Sequence, residues 1–217
     1  MTYSGKVHPG GPADVRELPQ LVISKISVGP MDNDAYLLRC RASGEQVLVD
    51  AAADPERLID LVGSSGLVGI VTTHQHADHW QALRALVDAT SARTFAHPLD
   101  APGIPVETDV FLADGDRLRF GEVELSAIHL VGHTPGSIAL AYDDPDGEPH
   151  VFTGDCLFPG GVGRTRSPED FAALYDGVAG KIFGRFPDET WIYPGHGDDT
   201  TLGVERPHLD EWKSRGW

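Results

Sequence analysis

The chain has 217 residues, of which 41% are hydrophobic and 23% are charged, values that are typical of a globular protein with a hydrophobic core. These values exclude a disordered, a collagen-like or a coiled-coil chain, and the length favours a single domain over residues 1–217. The 33 acidic residues outnumber the 17 basic ones and give a formal net charge of −16, which disfavours binding to nucleic acids or to anionic membranes.

The N-terminal sequence and the cysteines indicate the compartment. Cys40 and Cys156 match no metal-binding or redox spacing, and a secreted disulfide-stabilised domain needs more cysteines. No apolar stretch is long enough for a membrane span, and the N-terminus has no hydrophobic signal-peptide core. We therefore expect a cytoplasmic protein without membrane contact. The polar residues 1–20, broken by glycine and proline, are expected to form a loosely held tail.

Hydrophobic alternation and turn residues predict the elements of the first half of the chain. The predicted strands cover residues 21–29, 35–41, 46–50 and 67–73. A helix is predicted from Asp54, which would be its N-cap, through Pro55 in the first turn to about Val62. A second helix is predicted from about Trp80 to Asp88.

The second half continues the same pattern of short strands separated by turns. The predicted strands cover residues 92–97, 106–112, 117–120, 122–131, 138–142, 150–153 and 190–193. The glycine-rich residues 154–167 are predicted as a loop, residues 168–186 as a helix, and the C-terminus as a short helix. Antiparallel runs of strands with interleaved helices predict sheets that pack together with helices outside them.

One segment with metal-ligating side chains follows the strand predicted at residues 67–73. His74, His76, Asp78 and His79 lie within six residues, a density that packing alone does not explain. Alternation at the strand end can direct His74 and His76 to the same side, while Asp78 and His79 begin the next element. Imidazole and carboxylate ligands suit zinc, iron or manganese. The segment therefore predicts ligands for two adjacent metal ions.

Three further candidate ligands follow other predicted strands. His133 lies in the sequence GHTPGS, Asp155 in TGDC and His196 in YPGH. Each of them alone would fit a polar turn residue equally well. Together with the first segment they make seven nitrogen and oxygen ligands in four loops, which would satisfy two metal ions bridged by one carboxylate.

With these residues the chain resembles the metallo-β-lactamase-fold superfamily, most closely its glyoxalase II (hydroxyacylglutathione hydrolase)-like branch. The motifs that carry the resemblance are T-H-x-H-x-D-H at 73–79, G-H-T-P-G-S at 132–137, T-G-D at 153–155 and P-G-H at 194–196. The resemblance implies an α/β fold, the αβ/βα four-layer sandwich, in which two mixed sheets pack face to face with helices outside.

The resemblance also implies how the ligands divide between two divalent metal ions, zinc in the first place and iron or manganese as alternatives. The first ion would be bound by His74, His76 and His133. The second would be bound by Asp78, His79 and His196, and Asp155 would bridge the two.

The activity implied is the hydrolysis of a thioester of a small thiol by a metal-bound hydroxide. Asp78 would orient that hydroxide through a hydrogen bond. A thioester suits such a site because a thiolate leaves without prior protonation. β-Lactamases of this fold usually place cysteine where Asp155 stands, so β-lactam hydrolysis is not expected.

The substrate-binding residues depart from the glyoxalase II pattern. Arg164 matches a basic residue of the family, but Arg166 and Asp198 stand where glyoxalase II has tyrosines, the first of which contacts glutathione. Only 21 residues follow His196, so we expect no C-terminal helical substrate domain. The identity of the thiol, glutathione or another, stays open. Arg164 and Arg166 are either substrate-binding residues or solvated loop charges. Asp50 either supports the metal-binding histidines from behind or is a turn residue.

Three other functions remain open for this sequence. The persulfide dioxygenase branch of the same fold binds one iron through the equivalents of His74, His133 and Asp155, and it shares the G-R-T at 163–165. The P-G-H at 194–196 favours the hydrolase instead. The same site could hydrolyse a lactone or another ester, or bind metal without catalysing a reaction.

Overall fold

Two mixed β-sheets form the centre of the protein in the computed structural model, which describes residues 3–216. The first sheet contains seven strands in the order of the chain: β1 (Asp14–Glu17), β2 (Leu21–Val28), β3 (Asn33–Cys40), β4 (Gln46–Val49), β5 (Gly69–Val71), β6 (Arg93–Ala96) and β7 (Val110–Phe111). Strands β1 to β4 pair in antiparallel fashion, and β4 to β7 pair in parallel.

The second sheet has six strands in the order β15-β14-β11-β10-β9-β8. Its strands, with those of a separate hairpin, are β8 (Arg117–Phe120), β9 (Val123–His129), β10 (Ile138–Tyr142), β11 (His150–Gly154), the hairpin strands β12 (Leu157–Phe158) and β13 (Gly161–Val162), β14 (Trp191–Pro194) and β15 (Thr200–Thr201). Only the pair β11 and β14 is parallel.

Among the described residues 3–216, five α-helices lie outside the sheets. They are α1 (Pro55–Val62), α2 (Leu83–Thr90), α3 (Pro168–Gly177), α4 (Leu202–Glu205) and α5 (Leu209–Arg215). A π-helical segment, Val178–Phe183, continues α3. No helix within residues 3–216 is long and apolar enough to cross a membrane.

Both faces of the first sheet are buried, because successive side chains of a strand point to opposite faces and both kinds are apolar here. In β3, Tyr36 and Leu38 pack in the core between the two sheets, whereas Ala35 and Leu37 pack against α1 and α2 on the other face. A strand that is covered on both sides needs apolar residues at successive positions, and β3 has them. A third core joins the second sheet to α3 and α5. The layers are therefore helices, sheet, sheet and helices, which confirms the four-layer sandwich expected from the sequence.

The N-terminal region differs from the expected loose tail. Residues 14–17 form β1, which pairs with β2 along its edge. Further upstream, the Tyr3 hydroxyl donates a hydrogen bond to Asp199 (2.6 Å) and the Gly5 carbonyl accepts one from Lys25 Nζ (2.9 Å). The sequence of the N-terminal region does not indicate these hydrogen-bond partners, because they lie far away in the sequence. Residues 1 and 2 of the expected tail lie outside the described residues.

Several element boundaries also differ from the prediction. Asp54 does not cap α1 with its side chain, because its carboxylate accepts a hydrogen bond from Gly29 N (2.9 Å). The second helix begins at Leu83, after a single 3-10 turn at residues 77–79, and the predicted strand at 106–112 shortens to β7. The glycine-rich loop contains the hairpin of β12 and β13.

The ligand-bearing loops all follow strand ends, and they meet where the two sheets abut. They follow β5, β9, β11 and β14. Main-chain hydrogen bonds join them: Ile138 N donates to Thr73 O (3.0 Å), and Gly195 N donates to Gly154 O (2.8 Å). The fold therefore gathers the four loops at one end of the sandwich, where a rigid scaffold holds their side chains.

Candidate metal centre

The structure brings all seven predicted metal ligands into one cluster. Ligand atoms within 4.8 Å of one another form three groups: His74, His76 and His133; His74, His79 and Asp155; and Asp78, His79 and His196. The first and last groups are the two ligand sets that the family resemblance implied. The middle group joins them through Asp155.

The first triad consists of three imidazoles that face each other. His76 Nδ1 lies 3.0 Å from His133 Nε2, and the rings of His74 and His133 are 4.7 Å apart between their centroids. His74 is fully buried and His133 is 7% exposed, so water screens these nitrogens little. A single cation between the rings would satisfy the nitrogen lone pairs that point at one another.

The second triad contains a carboxylate and is more open to solvent. His79 Nε2 and His196 Nε2 are 3.2 Å apart, and Asp78 Oδ2 lies 3.5 Å from the first nitrogen and 3.4 Å from the second. The side chains of Asp78 and His196 are each 22% exposed, whereas His79 is fully buried. Part of this half of the centre therefore faces solvent.

Asp155 lies between the two triads. Its Oδ2 is 3.6 Å from His133 Nε2 and 3.5 Å from His196 Nε2, while its Oδ1 is 3.4 Å from His79 Nε2. One carboxylate thus approaches ligands of both sets, which is the position that a bridging ligand needs.

Two buried atoms in the cluster show that the residues fit metal ions. His74 Nε2 and Asp155 Oδ1 have no hydrogen-bond partner within residues 3–216. A buried polar atom without a partner costs about 1–3 kcal/mol, and native proteins contain few of them. Both atoms can act as acceptors and lie in the same ligand group, so a cation bound there would satisfy them together.

Hydrogen bonds on the far side of the rings fix which nitrogen faces the centre. His79 Nδ1 lies 2.8 Å from Asp50 Oδ2, His133 Nδ1 lies 2.7 Å from the Arg164 carbonyl, and His196 Nδ1 lies 2.9 Å from the Met31 carbonyl. Carbonyl and carboxylate oxygens only accept, so each Nδ1 must carry the proton and donate. Each Nε2 is then left with a lone pair for a metal ion, as in the carboxylate–histidine pairs of metal sites.

The pKa shifts of the histidines differ between the two triads. Burial, helped by the neighbouring histidines, lowers the pKa of His74 well below its ordinary value, and burial also lowers the pKa of His76 and His133. Burial opposes the charged form of His79 as well, but the carboxylates of Asp50 and Asp155 outweigh it and hold the pKa of His79 well above the ordinary range. The carboxylates that attract a proton there would also attract a metal cation.

The pKa of Asp155 reflects the same contacts. Burial would raise it, but the close approach of the His196 and His79 rings holds the pKa of the Asp155 carboxyl well below its ordinary value. Asp155 is therefore an anion at neutral pH, as a bridging ligand must be.

Asp50 adopts the supporting position that the sequence suggested. Its carboxylate accepts hydrogen bonds from Thr73 N (2.8 Å), Thr73 Oγ1 (2.8 Å) and His79 Nδ1. The Thr73 hydroxyl in turn lies 3.1 Å from His74 Nδ1, so Asp50 orients ligands of both triads.

Asn33 is a residue of the site that the sequence did not reveal. Its Nδ2 donates to Asp78 Oδ2 (2.9 Å) and lies 3.4 Å from His196 Nε2, and its side chain is buried. The only signal was a polar residue close to the start of an apolar strand, and many strands begin in that way.

Gly195 allows the ligand loops to approach so closely. A Cβ atom at this position would lie against Asp155 Oδ1 and 2.8 Å from His79 Cε1. A side chain there would displace the ligands, so the glycine of the P-G-H motif makes room for the second triad.

Arg164 and Arg166 lie beside the first triad, at a cleft of about 450 Å³ lined by His76, His133, Arg164, Thr165 and Arg166. Both arginines are exposed. The arginines that form ion pairs within residues 3–216 are others: Arg41, Arg57, Arg117, Arg119, Arg185, Arg206 and Arg215. Among the described residues 3–216, neither of the two guanidinium groups at the cleft has a carboxylate partner in an ion pair.

Comparison with known proteins agrees with this geometry. The family model described as the metallo-beta-lactamase superfamily matches residues 28–196. The chain is 32% identical over 201 residues to a hydroxyacylglutathione hydrolase from Synechocystis sp., with 88% of this chain and 70% of that protein covered. It spans 62% of the length of a hydroxyacylglutathione hydrolase from Cereibacter sphaeroides and 70% of the one from Synechocystis sp..

Two solved structures have the same fold over most of the chain. The BLEG-1 B3 metallo-β-lactamase is 29% identical with a TM-score of 0.76, and the match covers 88% of this chain and 99% of that one. The protein TTHA1623 in a di-iron-bound form is 36% identical with a TM-score of 0.69, and the match covers 84% of this chain and 96% of that one. Motifs, fold and relatives agree, and the chain belongs to the metallo-β-lactamase superfamily, in its glyoxalase II-like branch.

Proposed function

We propose that the protein is a metal-dependent hydrolase that cleaves thioesters of small anionic thiols with two divalent metal ions. The observation that carries the proposal is the pair of ligand triads that share Asp155 beside a cleft with two exposed arginines, Arg164 and Arg166. A cleft of this size and a net charge of −16 favour a small-molecule substrate over a nucleic acid or a membrane. The cysteine usage favours a cytoplasmic location.

The donor set supports two metal ions. Five imidazoles and two carboxylates suit zinc, with iron or manganese as alternatives, and the similar protein TTHA1623 was solved with two irons. His74, His76 and His133 would hold one ion, Asp78, His79 and His196 the other, and Asp155 would contact both. Two such ions would supply Lewis-acid charge, which lowers the pKa of a water molecule to near neutrality.

We expect the side chain of Asp78 to orient the attacking water. Its carboxylate is partly exposed to solvent, and Asn33 fixes its orientation by donating a hydrogen bond to Oδ2. A carboxylate held in this way can accept a proton of a water molecule and direct the oxygen lone pair at a substrate carbonyl. Asn33 and Asp78 therefore act together.

The positive charge at the cleft favours a substrate whose thiol portion carries an anionic group. Arg164 and Arg166 lie beside His76 and His133, so a carboxylate on the thiol could pair with them while the thioester carbonyl faces the ligand cluster. On the opposite side, Phe158 lies 6.3 Å from His196 between ring centroids, and Met31 is 55% exposed. These apolar groups suit the acyl portion of the substrate.

A thioester is favoured over an amide because its thiolate leaves without a proton from a general acid. The names of the relatives support the same class, since several are hydroxyacylglutathione hydrolases. We expect negligible hydrolysis of β-lactams, because Asp155 occupies the position where β-lactamases of this fold usually have cysteine.

The proposal is tested with the metal-loaded protein and a matched set of lactoyl thioesters, one with a carboxylate on the thiol and one with a neutral thiol. Arg166→Ala should raise KM for the carboxylate-bearing substrate about tenfold, the loss of one modest charge-assisted contact, and leave kcat unchanged. KM for the neutral thioester should stay the same.

Arg84→Ala is the matched control, because Arg84 is an exposed arginine of α2 and its removal changes the net charge equally. Equal KM changes in the two variants would assign the effect to overall charge and contradict the binding role of Arg166. Absence of turnover on any thioester, together with turnover of lactones or with oxygen uptake on persulfides, would replace the proposed reaction.

A further inference from the structure

A buried carboxylate outside the ligand set joins the two segments that carry the first triad. Asp100 follows β6 in the loop that leads to a short 3-10 turn at Ala101–Gly103, and it is 1% exposed. The ligand segments themselves lie elsewhere in the chain, around residues 74–76 and around residue 133. Sequence motifs gave Asp100 no role.

Asp100 accepts three hydrogen bonds from those two segments. Its Oδ2 accepts from Gln75 N (3.0 Å) and from Thr134 Oγ1 (2.5 Å), and its Oδ1 accepts from Gly136 N (2.7 Å). Gln75 lies between His74 and His76 in the sequence, and Thr134 directly follows His133. One carboxylate thus connects the main chain beside all three ligands of the first triad.

The packing around Asp100 leaves these segments little freedom. A Cβ atom at Gly136 would lie 2.6 Å from Asp100 N and 2.9 Å from its Cγ, and a Cβ at Gly103 would lie 2.9 Å from Gln75 Cβ. The glycines permit this approach, and hydrogen bonds to an ionised acceptor are about twice as strong as neutral ones. Displacement of one ligand segment would therefore strain the other.

We propose that Asp100 is a positioning residue that sets the spacing of His74, His76 and His133 and so the metal affinity of the first triad. The proposal rests on the metal-binding part of the proposed function and on nothing about the substrate. Asp100 does not act on the second triad in this way, because Asp78, His79 and His196 receive their support from Asn33, Asp50 and the Met31 carbonyl.

The substitution Asp100→Asn tests the connection with little change in volume. The remaining oxygen can still accept from Gly136 N, and the Thr134 hydroxyl can donate to Ser137 Oγ, which is 2.8 Å away. The new amide NH2 then faces Gln75 N–H, so two donors oppose each other and the bond to the segment of His74 and His76 is lost.

The experiment measures zinc dissociation constants by chelator competition in two backgrounds. His196→Ala retains the first triad with Asp155, and His133→Ala retains the second. Adding Asp100→Asn should weaken zinc binding about 10–100-fold in the His196→Ala background, because this is the usual effect of removing a residue that orients metal ligands. In the His133→Ala background, zinc binding should weaken by less than about threefold. Asp100→Asn should change the absorption spectrum of bound cobalt only in the His196→Ala background.

Asp109→Asn is the control for a general loss of stability. Asp109 accepts hydrogen bonds from Thr94 N (2.8 Å) and Thr94 Oγ1 (3.1 Å) of β6 in the first sheet, away from the ligand segments. It should leave both zinc constants unchanged. Equal weakening in both backgrounds, or none in the first, would overturn the proposal. Since no substrate enters the measurement, this result is independent of whether the protein hydrolyses thioesters.

Discussion

The two halves of the metal centre use different means to present their ligands. The first triad consists of three histidines whose pKa values burial lowers; His74 and His133 are buried, and His76 is partly exposed at the cleft. The second combines a carboxylate with two histidines whose pKa values nearby carboxylates raise, and part of it faces solvent.

The comparison teaches that packing and charge make separate contributions to one centre. A set of neutral ligands attracts a cation weakly at long range, so its affinity depends on accurate spacing of the nitrogens. A set that includes carboxylates attracts a cation by charge and tolerates a more open geometry. The first half should therefore respond most to changes in position, and the second to changes in charge and hydrogen bonding.

Removal of a ligand from either half should have the largest effect. His196→Ala and His133→Ala should each lose about one metal equivalent, and each should lower the hydrolysis rate by at least about 10²–10³, the effect of removing one electrostatic support of a developing oxyanion. Elemental analysis and thioester hydrolysis, measured in parallel, check this.

The pair of variants also separates the dinuclear hydrolase from the mononuclear dioxygenase. A dioxygenase with one iron at His74, His133 and Asp155 would keep its iron and its oxygen uptake in His196→Ala. Damage from His133→Ala alone, with persulfide-dependent oxygen uptake by the unmodified protein, would contradict the two-metal centre.

Asp50→Asn should have an intermediate effect that is greater in the second half. The amide replaces an acceptor of His79 Nδ1, so the orientation and basicity of His79 change, and zinc affinity should fall about 10–100-fold. Chelator competition in the His133→Ala background, which retains the second triad, measures the change directly. A larger loss in the His196→Ala background would show that the bond from Asp50 to Thr73, and through it to His74, matters more.

The smallest expected effect concerns a buried charge cluster that supports the His196 side of the site. Lys25 Nζ is fully buried and contacts Asp34 Oδ2 (3.1 Å), Asp199 Oδ1 (2.6 Å) and the Gly197 carbonyl (2.6 Å). Burial raises the pKa of Asp34 to about 8, although Lys25 opposes the shift, while Asp199 adds to it. The Tyr36 hydroxyl also faces this carboxyl (3.4 Å).

A raised pKa in the folded state means that the fold holds a proton which the unfolded chain releases. The stability from the neutral Asp34 carboxyl is complete at low pH and is lost as the pH rises to about 8. Relative to Asp34→Asn, the unmodified protein should lose at least about 1 kcal/mol of unfolding free energy between pH 5 and pH 9, because one pKa unit is worth about 1.4 kcal/mol. Urea unfolding of both proteins at each pH tests this, and parallel pH profiles would contradict it.

Much of the site could be predicted because its information is local. His74, His76, Asp78 and His79 lie in one short motif, and His133, Asp155 and His196 each follow a strand with a recognisable turn. The nearly continuous apolar residues of β2, β3 and β4 likewise predict buried strands, since the sequence of each strand shows that both of its faces are apolar. Sequence alone thus determined the class of fold and the chemistry of the ligands.

The tertiary structure decided how the parts are connected. Asn33 reaches Asp78, Asp100 joins the segments of the first triad, and Tyr3 holds the loop after His196 through Asp199. In each case a polar side chain meets a partner far away in the sequence, and neither its residue type nor its neighbours reveal that partner. Hydrophobic periodicity reports which face of an element is buried, whereas the partner of a buried polar group depends on how strands pair and how loops close.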